Sequence, residues 1–243
     1  MRLFAAGALC LLALPLASTP AARADSADSV PATTSTVAQI VAQMQSHTLT
    51  RNEELKRYES LRHYAVHYRG FPASVDAKMD VEVDYDAASG KSFHIVSQSG
   101  SRFLCDKVLK RAVDSENEAQ KDQSATELTP ANYRFALEGR DTVDGRPAYI
   151  LNVQPITPSK FLYKGKVWVD ARDFAVVKIE ATPAKNPSFW ISQTLIHFTT
   201  ARMGGFWLPE QNRSETHVRI GGTAVLTIDY GEYKELTPQI ASR

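Results

Sequence analysis

A partner for a disulfide is missing from the body of this chain. Of its two cysteines, Cys10 lies in an apolar leader and Cys105 stands alone beyond it. No bridge can close within the folded part, and a chain of this length buries enough apolar surface without one. An excess of charge is missing too: 28 basic residues stand against 27 acidic ones. Removing Arg2 and Arg23 with the leader takes the balance to about −1. That speaks against nucleic acid as the main partner, which favours a basic surface. The longest apolar run, Leu3–Ala17, is too short to span a bilayer. Chemical signatures are absent as well. The chain has no H-E-x-x-H, no spaced cysteine–histidine set, no Asp-rich calcium loop and no G-x-S-x-G. No metal, no cofactor and no catalytic residue are expected, and the chain does not read as an enzyme.

What is present begins with an export signal. Met1 and Arg2 precede the apolar run, and Ala22, Arg23 and Ala24 have the small-x-small form of a cleavage site. Residues 1–24 read as a signal peptide. Cys10 follows Leu9 rather than a small residue, which argues against lipidation there. The expectation is a soluble exported protein. Residues 25–36, rich in Ser, Thr, Ala and Pro, read as a flexible tether, 37–236 as one domain and 237–243 as a tail.

Strands dominate the later half. Lys166–Asp170 and Phe174–Glu180 are rich in Val, Ile, Trp and Phe around a polar break at Ala171–Asp173. Such runs suit a pleated surface, and the break suits a tight reversal. Gly204 with Gly205, Gly221 with Gly222, and Asp144 with Gly145 mark further hairpins. The asparate pair Asp170 and Asp173, with Glu180, has the residue types of a glycoside hydrolase, but turn formation explains the aspartates more simply. Trp168, Trp190 and Trp207 read as sheet packing rather than a sugar platform.

The first half carries the helices. Val37, Ile40, Val41 and Met44 form a helical stripe behind a capping Thr36. That helix is expected to fray near His47–Thr50, with a second piece over Asn52–Tyr58. Leu61–Arg69 and Asp76–Tyr85 alternate as strands; Met79, Val81, Val83 and Tyr85 share one face of the second. His63, His67 and Arg69 face away from Tyr64 and Val66, toward a row with Asp80, Glu82 and Asp84. Opposite charges across a solvated face account for that row better than a metal does. From Ser101 a helix is expected over about Arg102–Glu118, with Phe103, Leu104, Val108 and Ala112 on its apolar stripe and an exposed, mobile last third. With helices gathered early and about ten strands in all, the fold class is α+β.

The order helix, three strands, helix, long meander resembles the LolA/LolB-like lipoprotein-localisation factors of the bacterial envelope. The stretches that carry the likeness are Arg57–Tyr64, Asn132–Phe135, Lys164–Asp170, Pro187–Trp190, Gly205–Pro209 and Leu226–Tyr230. The resemblance implies one LolA-like domain over 37–236: an incomplete antiparallel β-barrel with helices covering its concave face. It further implies a soluble periplasmic carrier for acyl chains of lipids or lipoproteins, moving them toward the outer membrane between an inner-membrane donor and an outer-membrane acceptor. Related folds also serve as envelope-stress sensors, which is the alternative. The family uses a strand arginine to hold its lid closed; Arg62 and Arg69 are the candidates by position.

Such a carrier needs no catalyst. Burying each CH₂ stabilises by about 0.8 kcal/mol, so a chain of about 14–16 carbons offers roughly 11–13 kcal/mol before ordering costs. The expected lipid-binding lining is Tyr64, Val66, Met79, Val81, Val83, Tyr85, Phe93 and Ile95, with Leu104 and Val108 from the lid. The plainer reading is that the same residues form a dry core.

Overall fold

Thr36 opens the first helix, α1, Val37–Glu54, with a reciprocal cap. Its hydroxyl accepts from the Gln39 amide, and the Gln39 side chain accepts from the Thr36 amide. A computed structural model describes residues 35–238 other than 123, 187–190 and 220. The leader, Cys10, Trp190 and nearly all of the tether and tail lie outside the described residues. In α1 the stripe buries Ile40, Val41 and Met44 as its spacing requires. The helix runs on through His47–Thr50 without a break, and the separate piece expected over Asn52–Tyr58 does not form. Instead β1, Leu55–Gly70, begins at once: Leu55 pairs with β11, and from Arg57 to Ser60 the strand has ladder partners on both sides. Tertiary pairing overrides local helical preference there.

The chain then forms β2 (Val75–Asp86) and β3 (Gly90–Gly100), a roof segment, and β4 (Tyr133–Val143) to β7 without another helix. Strand β5 spans Arg146–Pro155, β6 Tyr163–Asp170 and β7 Val176–Pro183. Strand β8 spans Ile191–Met203, β9 Phe206–Val218, β10 Gly222–Asp229 and β11 Tyr233–Pro238. All belong to one 11-stranded sheet in the order β3-β2-β1-β10-β9-β8-β7-β6-β5-β4, with β11 paired to β1. Every pairing described is antiparallel. β3 and β4 remain as edges, so the sheet stays open rather than closing into a barrel. The expected incomplete, helix-covered antiparallel sheet is the fold observed. Its hairpins fall at the predicted breaks: Asp144 and Gly145 both take positive φ, 48° and 74°, as a two-residue reversal demands.

The roof segment is one continuous rod of three parts: α2 (Arg102–Leu104), a π-helical stretch (Cys105–Leu109) and α3 (Lys110–Gln120). Ser101 caps it, accepting from the Leu104 amide. The two helical roofs divide one face of the sheet. Register places Tyr64, Ile228, Asn212, Phe198, Ile179, Val167 and Leu151 side by side across the strands, on the same face. The α2–α3 rod packs on the β1–β3 half through Leu104, Cys105, Leu109 and Val113. Helix α1 packs on the β4–β7 half through Ile40, Val41 and Met44. Between them this face is more polar, with Thr194 and Thr216 bonded hydroxyl to hydroxyl at 3.0 Å.

Candidate functional site: a roofed apolar face with a buried arginine

Of the residues expected to line an acyl site, all but one meet in a single cluster. Tyr64 and Val66 of β1, Met79, Val81 and Val83 of β2 and Leu104 of the roof are buried together. Phe93, Ile95 and Val108 are partly buried against them. Tyr85 falls in a neighbouring cluster and stacks on Tyr58 with ring centroids 4.9 Å apart. Tyr64, Val66, Met79, Val81 and Val83 are 0–1% exposed. That leaves no water-sized space beside them: as it stands, this half of the face is a closed, packed layer. Among the described residues, a mostly apolar recess lies beside α1, at the other roof. It has a volume of about 190 Å³ and is bordered by Met44, Thr48, Leu49, Leu128 and Val176. That is smaller than the roughly 300–1,000 Å³ typical of ligand pockets. Leu128 belongs to a loop, and nothing in its sequence neighbourhood places it against α1.

Inside the closed layer sits a charge. Arg62 alternates with Tyr64 and Val66 along β1, so it points under the roof, and it is 0% exposed. Arg69, the other positional candidate, has the opposite parity and is exposed. Arg62 Nη1 donates to Glu116 Oε2 of α3 at 2.8 Å. The other oxygen of Glu116 accepts from Lys91 Nζ of β3, also at 2.8 Å. One turn on, the Gln120 side chain accepts from the Lys91 amide and donates to its carbonyl, each at 3.1 Å. The polar last third of the rod is therefore held down at the sheet, not free as its composition suggests. Its contacts are polar, so apolar periodicity did not reveal them.

The electrostatics follow from burial and pairing. Burial works to lower the Arg62 pKa, but Glu116 overcomes it and the net direction is up. Burial works to raise Glu116, and Lys91 and Arg62 together hold it below the ordinary carboxylate value. The guanidinium carbon also lies 4.6 Å from the Tyr230 ring centroid and 5.6 Å from that of Phe93. Burial raises the Tyr64 phenol, with the Arg62 charge pulling back. Tyr64 and Arg62 are neighbours, and the guanidinium lies close enough to lean on the phenol oxygen without a well-aligned hydrogen bond. Among the described residues, the buried side-chain atoms that meet no protein partner are Ser60 Oγ, Arg62 Nε and Nη2, and Tyr64 OH. All belong to alternate positions of β1 beneath the rod.

The other sequence candidates resolve into structure. His63 bonds Asp80 at 2.8 Å and His67 bonds Asp76 at 2.7 Å, on the exposed side of β1 and β2. Asp170 accepts from the Arg172 and Asp173 amides and from Arg146, which organises the β6–β7 reversal. Trp207 donates to Asp173 and Trp168 to Asp141, with Trp168 buried beside Val177 on the unroofed face. Among the described residues, no helix is long and apolar enough to cross a membrane.

No family model matches the chain, and no curated protein matches its sequence. Solved structures do. One is an outer membrane lipoprotein-sorting protein domain from Vibrio parahaemolyticus, at 11% identity and a TM-score of 0.42, covering 84% of this chain and 93% of that one. Another is a LolA superfamily protein from Nitrosomonas europaea, at 13% identity and a TM-score of 0.35, covering 79% and 92%. A third is MucB in complex with MucA(peri), at 10% identity and a TM-score of 0.26, covering 83% and 100%. Likeness at this level says nothing of cargo or partner.

Proposed function

We propose that the protein is a periplasmic carrier that binds an acyl chain between the β1–β3 face and the α2–α3 rod. In this reading the structure is the closed arrangement, and Arg62–Glu116 is the latch that holds the rod down. The observation that carries the reading is the buried ion pair spanning from sheet to roof. A buried pair contributes little to stability compared with apolar packing of the same volume. It does supply a contact that is either made or broken, which suits a roof that must lift. Beneath it, Tyr64, Val66, Met79, Val81 and Val83 offer a continuous apolar layer for a chain that displaces Leu104 and Leu109. Cargo release needs no chemistry: a membrane competes for the chain once the rod lifts. Donor and acceptor proteins of the two membranes are the partners this reading calls for.

The test is native mass spectrometry of protein purified without detergent from its expression host. The expected result is an adduct of lipid mass that survives gentle desolvation and disappears after organic extraction. Protein that is repeatedly lipid-free, and that ignores fluorescent fatty-acid probes, would overturn the carrier reading and favour a role in binding a protein partner.

A further inference from the structure

We infer that the acyl ligand carries a carboxylate head, and that this head binds the free edge of Arg62 beneath the rod. The inference rests on the carrier reading above and names the chemical class of its cargo. Arginine presents a side-on fork, Nε with Nη2, that matches a carboxylate's two oxygens. This chain shows that fork in use elsewhere. Arg146 Nε donates to Asp170 Oδ2 at 2.6 Å and its Nη2 to Asp170 Oδ1 at 2.8 Å. Arg62 leaves the same edge without a protein partner and spends Nη1 on Glu116. Beside it, the Ser60 hydroxyl is buried and unpaired, and the buried Tyr64 hydroxyl, which has only the guanidinium beside it, finds no acceptor for its proton.

Alternate positions on one strand share a face, so these groups stand in a row. Each can donate. A buried donor left unpaired is costly, and natural folds rarely keep several together. Charge points the same way: Arg62 and Lys91 are cationic, and Glu116 is the carboxylate paired with both. The cluster therefore has one cation in excess and a row of donors facing no acceptor. A carboxylate at the end of an acyl chain satisfies both, while the chain lies along Val81 and Val83 of the adjoining strand, which pair with Arg62 and Ser60. Arg62 has no exposed surface, so the ligand reaches it as α3 lifts. When the rod settles again, Glu116 keeps Nη1 and Lys91, and the cargo's head holds the Nε–Nη2 edge.

The experiment compares laurate, methyl laurate and sodium acetate on delipidated protein, by native mass spectrometry and thermal shift. Laurate is expected to bind at least about tenfold more tightly than its uncharged ester. Arg62→Met should erase that preference while the ester still binds. Glu116→Gln, which removes the competing charge but keeps an acceptor, should widen it. Tyr64→Phe, the mildest change, should narrow it several-fold with the fold intact. Equal binding of laurate and its ester by the unaltered protein would overturn this inference and leave the carrier reading standing. Acetate competing as well as laurate would replace the acyl carboxylate with a free anion and overturn it too. Failure of both laurate and the ester to bind would overturn the carrier reading together with it.

Discussion

At position 62 a guanidinium without exposed surface is tolerated because Glu116 reaches it from the roof. The two partners differ in what their loss leaves behind. Removing Glu116 strands a buried cation, whereas removing Arg62 leaves Glu116 still paired to Lys91. Glu116→Ala is therefore expected to destabilise by about 3–5 kcal/mol in urea unfolding, and Arg62→Met by clearly less. The double substitution Arg62→Met with Glu116→Ala should recover part of the loss. Equal costs for the two single substitutions would show that the pair is not the buried, asymmetric contact described here. Individual residues were legible in the sequence where their chemistry is local. Thr36 and Ser101 cap helices as read, and Asp144 with Gly145 turns a hairpin as read. The partner of Arg62 was not, because Glu116 lies 54 positions away and only the fold brings it near.

The α2–α3 rod is held by two kinds of contact that respond differently to acid. Its apolar stripe is indifferent to pH; its Glu116 clamp is not. Glu116 sits below its ordinary value of 4.5, because Lys91 and Arg62 outweigh the burial that works to raise it. A carboxylate with a lowered folded pKa stabilises the fold above its unfolded value and loses that contribution as pH falls through the folded one. Melting temperature should therefore decline as pH drops below 4.5, and Glu116→Gln should show a shallower decline over the same window. Parallel curves would remove Glu116 from the acid response. Asp170 is lowered too, Arg146 and the neighbouring amides outweighing burial. It contributes with the same sign in both proteins and cancels in the comparison. The rod's extent is close to what its spacing indicates, but its polar end is tied to the sheet through Glu116 and Gln120. Apolar periodicity reports which side packs on oil and is blind to a glutamate or glutamine that pins a helix through charge.

Residues 35–238 form an open sheet whose two halves are covered by different helical segments, so one roof is expected to open without the other. Cys105 offers a direct report on this. Its thiol is buried on the inner side of the rod and donates to the Ser99 carbonyl at 3.6 Å. In a Cys10→Ser background, Glu116→Gln should speed labelling of Cys105 by about tenfold at neutral pH, with far-UV circular dichroism unchanged. Labelling that rises only in step with global unfolding would mean the rod does not open by itself. The antiparallel meander, the early helices and the alternation that sets Tyr64, Val66, Met79, Val81 and Val83 on one face are local properties, carried by period-two patterning and turn residues, and sequence determined them. Which half of the sheet each helix covers, whether the apolar layer stands closed, and that a charge lies within it depend on contacts between segments far apart in the chain. Those were decided only when the strands stacked in their final order and the rod came down across them.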